Sequence, residues 1–382
     1  MTKSNIEGRI GVLGGGQLGK MLAQAAADLN LRISVLDPTP SSPASCCATQ
    51  VIGDFKNYDD LMRFGQDQDI ITIEIENVNL DALIDLQKEG KQVYPDPKAL
   101  KLIKDKGLQK LFYQQQDLPT SGFELFNHKN EIIDQILHGA LEFPFVQKSR
   151  TEGYDGKGVQ IIKSKDDIEN LFDNPSIIET KVDIDKEIAV VTARNTFGEV
   201  IAYDPVEMIF HPTENLLLYQ ECPSTLRMDQ INSAKALAIH ICKQMQIVGL
   251  LAVEMFLTKD GEILVNEVAP RPHNSGHHTI EACRTSQFHQ HLRCILGFPL
   301  GDASTIGPSI LLNVLGAPGH EGNAIYQGLD ACLDKPGVYV HLYGKHITKP
   351  YRKMGHVTIV GNEMNEVKGI ADFVNQTLKV IS

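Results

Sequence analysis

GLLAVEMFLTKDGEILVNEVAP, residues 249–270, consists of two apolar runs joined by Asp260-Gly261. Asp-Gly between such runs is a hairpin signal, and a two-residue turn pairs Lys259 with Glu262. Counting outward in that register sets Glu254 directly opposite Glu267. Their neighbours Val253, Met255, Phe256, Val265 and Val268 mark buried strands. Like charges in direct opposition destabilise a ladder, and buried carboxylates need a partner. Two carboxylates completed by the phosphates of a nucleotide suit Mg2+. The pair therefore reads as a metal clamp for a nucleoside triphosphate. The alternative is that each carboxylate meets an Arg or Lys from elsewhere in the chain.

The loop that follows, APRPHNSGHH (269–278), sets Arg271, His273, Asn274 and Ser275 at the exit of the second strand, where an anion beside the metal would lie. His273, His277 and His278 lack the HExxH helix or the cysteine partner of a zinc site. Upstream, GYDGKG (153–158) lies between two strand-like runs, 145–149 and 159–163, so it caps a hairpin. No Ser or Thr follows Lys157 where a Walker A loop needs one. Three glycines and a lysine between antiparallel strands read as a flap over phosphates, although a plain solvated turn is the simpler alternative. From 145 to 207 the short β-branched runs in series imply antiparallel sheet, hence an α+β region.

Further towards the N-terminus, residues 8–37 alternate strand, glycine turn, helix and strand. Gly14-x-Gly16-x-x-Gly19 opens the helix, and Asp37 ends the second strand. Spacing and context fit a dinucleotide fingerprint, yet many α/β domains hold other phosphorylated ligands there, and tight packing alone also explains the glycines. Gln17 inside the turn suits a substrate contact. Further strands at 69–75 and 93–94 and a helix at 80–88 imply a parallel sheet with helices on both faces over residues 1–105. Helices are also expected near 229–246 and 365–378. Lys106, Lys148, Glu179, Glu187, Glu74, Glu76, Lys345, Arg352 and Lys353 each read, taken singly, as solvated side chains.

The chain has 382 residues and a net charge of −12, with 42% hydrophobic and 22% charged residues. That balance argues against nucleic acid or an anionic membrane as the main partner. No run approaches the length of a membrane span, and the N-terminus lacks a signal-peptide pattern, so a cytoplasmic protein is expected. Seven scattered cysteines with no CxxC argue against a disulfide framework and read as reduced, mostly buried residues; Cys46–Cys47 as a reactive pair is the alternative.

Together GGGQLGKM, EIENV, SRTEGYDGKG, VEMF…VNEVAPRPHNSGH and YGK…RKMGH, in this order, resemble the ATP-grasp superfamily. Within it they resemble the N5-carboxyaminoimidazole ribonucleotide synthetases, over residues 11–357. The resemblance implies an α/β plus α+β fold in four parts: a Rossmann-like pre-ATP-grasp domain (1–105), a small ATP-grasp lobe with the flap (106–182), a large lobe with the metal hairpin (183–300) and a C-terminal domain packed on it (301–382). It implies a ligase that carboxylates 5-aminoimidazole ribonucleotide with bicarbonate and ATP through carboxyphosphate, as a homodimer using two Mg2+. For ATP it implies Lys106, Lys148, the flap residues Gly153, Tyr154, Asp155, Gly156, Lys157, Gly158 and Val159, and Glu179, Thr180, Lys181 and Val182 around adenine. Glu187 would take the ribose hydroxyls, with His211, Asn266 and Glu267 completing the nucleotide site and Glu254 with Glu267 holding metal. Gly16, Gln17, Leu18, Glu76, Tyr154, Asp155, Asn274, Ser275, Lys345 and Arg352 would surround the ribonucleotide, with Asp155, Arg271, His273 and Lys345 as the catalytic set.

Lys20 and Lys106 stand where relatives commonly have arginine, Glu152 replaces a usual glycine, and Val159 a frequent glutamine. The rivals are a formate-dependent glycinamide ribonucleotide transformylase of the same superfamily, an NAD-dependent oxidoreductase and a non-catalytic nucleotide-binding regulator. The oxidoreductase leaves GYDGKG and the Glu254–Glu267 pair unexplained.

Overall fold

The computed structural model describes residues 8–151, 158–210 and 217–382. Its first layer is a parallel sheet of β1 (Ile10–Leu13), β2 (Ile33–Asp37), β3 (Thr49–Ile52), β4 (Ile70–Ile73) and β5 (Gln92–Tyr94), in the order β3-β2-β1-β4-β5. The connecting helices are α1 (Gln17–Ala27), α2 (Tyr58–Gln66) and α3 (Leu80–Lys88). β3 escaped the sequence reading because it is an edge strand with mostly exposed residues, without the apolar run of a buried parallel strand. Both sheet faces are covered. Leu13, Leu36, Ile71 and Ile73 pack on Leu61, Phe64, Leu83 and Leu86 of α2 and α3. Ile10, Val12, Ile33 and Val35 pack on Met21 and Leu22 of α1, and the same cluster takes in Phe288 and Leu292 of the distant helix Gln287–Ile295. That shared core fixes the first layer against the later ones.

Helices α4 (Pro97–Ile103) and α5 (Lys106–Gln115) follow. Strands β6 (Phe123–Phe126), β7 (Phe145–Ser149), β8 (Val159–Ile162) and β9 (Ser176–Thr180) form an antiparallel sheet in the order β6-β9-β7-β8, with helix α6 (Lys129–Leu137) packed on β6. The third sheet gathers β10 (Ile184–Arg194), β11 (Val200–Ala202), β12 (Val206–Phe210), β13 (Leu217–Cys222), β14 (Gly249–Thr258), β15 (Ile263–Ala269) and β16 (Ser309–Leu315). It continues from β16 through Lys353–Val360 to Val338–Leu342, so one antiparallel sheet runs unbroken past residue 300. The antiparallel character expected from 145 to 207 holds, but those strands divide between two sheets. Helix α7 (Met228–Gln244) packs Ala234, Ala238 and Ile241 against Val190, Leu251 and Val253, and Tyr113 of α5 joins the same core.

The β14–β15 hairpin corrects one detail and keeps the consequence. Gly261 N–H donates to the Thr258 carbonyl and Thr258 N–H to the Glu262 carbonyl, so the loop has three residues, Lys259 to Gly261, with Gly261 at φ +90°. This is the glycine-ended three-residue hairpin loop, and it shifts the register by one from a two-residue turn. Leu257 accordingly faces Ile263, and Met255 faces Val265. A bulge then absorbs Asn266 and restores the other register, so Glu254 does face Glu267.

Candidate functional site

Helix α5 begins where Asp105 accepts from the Gly107 and Leu108 N–H groups at 2.8 and 3.2 Å. The same carboxylate takes Arg150 Nε at 2.9 Å and Nη2 at 2.6 Å, and Lys106 N–H donates to the Arg150 carbonyl. A capping residue held by a two-point guanidinium contact fixes the first helical position. From that position the Lys106 ammonium reaches Glu267 and pairs with it.

Glu254, Glu267 and Glu187 project from one face of the large sheet, because Glu254 pairs with both Ala189 and Glu267 while Glu187 pairs with Phe256. Burial, with Glu267 and Glu187 adding to it, pushes the Glu254 carboxyl up. The Lys106 charge holds Glu267 down against burial. Burial pushes Glu187 up to about 7, with Lys148 acting the other way. His273 Nε2 lies 3.5 Å from Glu254, and its Nδ1 is 2.9 Å from the Ser275 hydroxyl. The bulge turns Asn266 so that its Oδ1 accepts from Lys148 Nζ at 2.8 Å. Lys148 also lies 3.1 Å from Glu179, whose side chain is 4% exposed. Burial alone would raise Glu179, but Lys148 and Lys110 outweigh it and hold the carboxyl below its usual range. Lys106, Lys148, Glu179, Glu187, Glu254, Asn266 and Glu267 thus form one charged cluster where the two antiparallel sheets and α5 meet. Lys148 and Glu179 are buried partners rather than the solvated charges that each resembled alone. Thr180 and Lys181 are exposed at the end of β9, and Val182 is half-buried.

The glycine turn corrects the dinucleotide reading. Glu74 fills its anion position, accepting from Gly16 N–H at 2.5 Å and Gly19 N–H at 2.6 Å. A Cβ on Gly16 would lie 2.5 Å from Glu74 Oε1. Asp37, the ribose ligand of that reading, accepts instead from Gly15 and Thr39 N–H, each at 2.8 Å. Burial pushes Glu74 up despite the two N–H groups on it. The glycines make room for an internal carboxylate, so neither Glu74 nor Asp37 is a solvated or a ligand-facing charge.

Beside this turn, Arg271 Nε is 2.8 Å from Glu76. The half-buried Gln17 and buried Leu18 begin α1, whose Lys20 donates to the Leu342 carbonyl at 2.9 Å. Asn274 and Ser275 lie in a short 3-10 turn; Ser275 is buried, and its carbonyl accepts from Gln220 Nε2 at 2.8 Å. Lys345 Nζ donates to the Lys353 carbonyl at 2.7 Å, and Arg352 Nη1 to the Ile347 carbonyl at 2.5 Å. His277 and His278 are buried within the fold. Gly153, Tyr154, Asp155, Gly156, Lys157 and His211 lie outside the described residues, as does Glu152, whereas Gly158 and Val159 lead into β8.

The sequence reading missed Lys110 and the Asp105–Arg150 pair. Lys106 and Lys110 stand one turn apart on α5, and like charges at that spacing disfavour a free helix, which is a signal of an anionic neighbour.

Residues 8–104 match the ribonucleotide synthetase preATP-grasp domain, 111–288 the ATP-grasp domain, and 309–369 the phosphoribosylaminoimidazole carboxylase C-terminal domain. The phosphoribosylaminoimidazole carboxylase of Candida albicans is 38% identical over 96% of this chain, which spans 66% of that protein's length. The N5-carboxyaminoimidazole ribonucleotide synthase of Bacillus subtilis is 34% identical, over 94% of this chain and 92% of that one. Among solved structures, the Aspergillus clavatus N5-carboxyaminoimidazole synthase in complex with ADP and 5-aminoimidazole ribonucleotide superposes with a TM-score of 0.88 at 31% identity, covering 97% of this chain and 99% of that one. Three successive domain matches, a fold shared end to end and a cluster of lysines and carboxylates between the sheets place the chain in the N5-carboxyaminoimidazole ribonucleotide synthase family of ATP-grasp ligases.

Proposed function

We propose that the protein carboxylates 5-aminoimidazole ribonucleotide with bicarbonate at the expense of ATP, giving N5-carboxyaminoimidazole ribonucleotide, ADP and phosphate. The observation that carries this is the opposed Glu254–Glu267 pair with Lys106 and Lys148 beside it. Two lysines and hard oxygen donors in one cluster match the needs of a triphosphate with its metal. No cluster of three or more metal-ligating side chains exists among the described residues, and Mg2+ on a nucleotide needs only one or two carboxylates. Glu254 fits such a cation because its raised proton affinity marks a carboxylate short of positive charge. Glu254 and Glu267 would hold Mg2+, two ions in the family pattern, and Mg2+ when bound screens phosphate charge.

The chain's own groups then have assignable roles. Lys106 leaves Glu267 for the triphosphate, and Lys148 meets it from β7. The backbone from Glu179 to Val182 borders adenine, and Glu187 accepts from the ribose. A bicarbonate oxygen bonds to the γ-phosphorus as the bond to ADP breaks, giving carboxyphosphate, which Arg271 and His273 hold. The ribonucleotide amine, oriented by Asp155, bonds to the carboxyl carbon as phosphate leaves with the amine proton. Gly16, Gln17, Leu18, Glu76, Tyr154, Asn274, Ser275, Lys345 and Arg352 form the ribonucleotide side, and Gly153 to Val159, as the flap, and His211 belong to the ATP side. Exclusion of water protects the intermediate.

The four-part division at residues 105, 182 and 300, a homodimeric state and a cytoplasmic location belong to the same reading. No described helix is long and apolar enough to cross a membrane.

The test is ADP release with Mg2+ and ATP, adding bicarbonate, 5-aminoimidazole ribonucleotide, both, or formate with glycinamide ribonucleotide. Turnover that requires the aminoimidazole ribonucleotide and falls when dissolved CO2 is stripped supports the proposal. Turnover only with formate overturns it.

A further inference from the structure

Lys110 is 2% exposed at its side chain, yet it adjoins the charged cluster through Glu179. Its ammonium donates to Thr120 Oγ1 at 2.6 Å and to Ser121 Oγ at 2.8 Å, and lies 3.3 Å from Glu179 Oε1. Two of its donors thus go to hydroxyls, and the contact with Glu179 is an ion pair, in a position closed to solvent. Lys110 is therefore not placed to touch a ligand. What it touches is Glu179, the carboxylate that also holds Lys148 at 3.1 Å.

We propose that Lys110 is a positioning residue for the nucleotide: it takes up the charge of Glu179, so that the charge of Lys148 remains available to the triphosphate. The inference rests on the ATP-binding reading above.

Charge balance carries the argument. Glu179 is one anion between two cations, so the trio holds one net positive charge in a site largely removed from water. Lys110 is the enclosed member, and Lys148, 11% exposed and bonded to Asn266, is the member within the charged cluster. The surplus charge therefore sits where a ligand can use it. Without Lys110, Glu179 and Lys148 would form a closed neutral pair, and at low dielectric that pair would resist opening. Geometry adds a second link. Thr120, a partner of Lys110, donates to the Val265 carbonyl at 2.7 Å, and Val265 N–H donates to the Pro119 carbonyl at 2.8 Å. Val265 immediately precedes the bulged Asn266, so Lys110 braces the strand that presents Lys148's other partner.

The experiment compares wild type, Lys110→Met, Lys110→Arg, Glu179→Gln and the double variant Lys110→Met/Glu179→Gln. Binding of Mg-ADP and Mg-ATP is measured by calorimetry and turnover by ADP release, with thermal melts as the folding check. Lys110→Met is expected to weaken both nucleotides by about tenfold or more, the scale of one charge lost from a partly desolvated site. It should raise KM for ATP while leaving KM for the ribonucleotide within about twofold, since the ribonucleotide lies elsewhere. Lys110→Arg keeps the charge and should bind within about threefold of wild type. The double variant, which removes cation and anion together, should recover most of the lost affinity. Unchanged nucleotide affinity in a folded Lys110→Met overturns the proposal. So does a double variant that folds and remains as weak as Lys110→Met, which would make Lys110 a packing residue. If Lys110→Met does not fold, the double variant and Lys110→Arg decide by the same affinities. Wild type that binds neither nucleotide refutes the ATP reading itself, a failure seen before any variant is made.

Discussion

At the scale of single residues, the Glu254–Glu267 pair opposes stability to function. Two carboxylates facing across a ladder repel, and burial adds to the cost. Glu254→Gln keeps the shape and removes one charge. A group whose folded proton affinity is raised stabilises the fold at low pH and loses that contribution as pH rises through its folded pKa. The variant should therefore melt above wild type in the absence of Mg-ATP, with a gap that widens from about pH 5 to pH 8. At a relief of about 1 kcal/mol the gap is about 1 °C for a chain of this length. Turnover should fall by about a hundredfold or more, the scale of removing one electrostatic contact from a transition state. Melting curves across pH, paired with ADP release, check both halves; a variant less stable than wild type at every pH would refute the opposition. This pair was legible in the sequence from a period of two and a turn signal, although the turn is one residue longer than read and the bulge at Asn266 makes up the difference. Glu74 and Lys110 were not. Their partners, the Gly16 and Gly19 N–H groups and the Glu179 carboxylate, come from other elements, and nothing local distinguishes such a buried charge from a solvated one.

Among the elements, the β14–β15 hairpin shows how a local misreading can leave its consequence intact. The Asp-Gly signal implied two turn residues, whereas Lys259 joins the loop as a third with Gly261 closing it at φ +90°, and the bulge at Asn266 cancels the offset before the ladder reaches Glu254. The turn is thus separated from the site by its own correction. A Cβ added at Gly261 would meet nothing within 4 Å beyond its chain neighbours, so Gly261→Ala brings strain and no clash. The expected cost is about 1 kcal/mol, read from denaturant unfolding, with nucleotide affinity unchanged. Gly16→Ala is the contrasting case, because its Cβ would sit 2.5 Å from Glu74 Oε1. Overpacking there should cost about 1–3 kcal/mol and disturb the ribonucleotide side, raising KM for that substrate more than for ATP. Gly16 has an ordinary φ of −73°, so its cost comes from Glu74 and not from backbone strain, and a Gly16→Ala variant as stable as wild type would refute the need for that room. Strand alternation, helix spans and sheet class could all be read from periodicity. The division of strands between two sheets could not, since pairing partners lie far apart in the chain.

Across the whole molecule, buried imidazoles are concentrated where layers meet. His291 of the helix Gln287–Ile295 sits against the parallel sheet, its Nε2 2.9 Å from Thr72 Oγ1. His277, in the loop beyond β15, packs on His356 with ring centres 4.7 Å apart, and His356 stacks on His341 at 4.4 Å. Tyr343 lies 3.0 Å from His356 Nδ1. Burial pulls His277 and His356 well below the usual imidazole range, and His278 and His291 down to about 4. These groups are neutral in the fold and take up protons when it opens. Their contribution to stability is therefore present above about pH 6.5, the unfolded value, and is lost as pH falls from there towards about 4. One pKa unit corresponds to about 1.4 kcal/mol, so His278 and His291 alone weigh against a net stability of about 5–15 kcal/mol, and His277 and His356 act in the same direction. The melting temperature should fall steeply between about pH 6.5 and pH 4.5. Because His277 and His291 join layers rather than lie inside one sheet, acid should loosen the interfaces first. Hydrogen exchange at about pH 5 should then rise in 271–278 and in Gln287–Ile295 before it rises in β10 and β14. Simultaneous exchange in all four would instead mean that the layers unfold as one unit, with the imidazoles lowering only its overall stability.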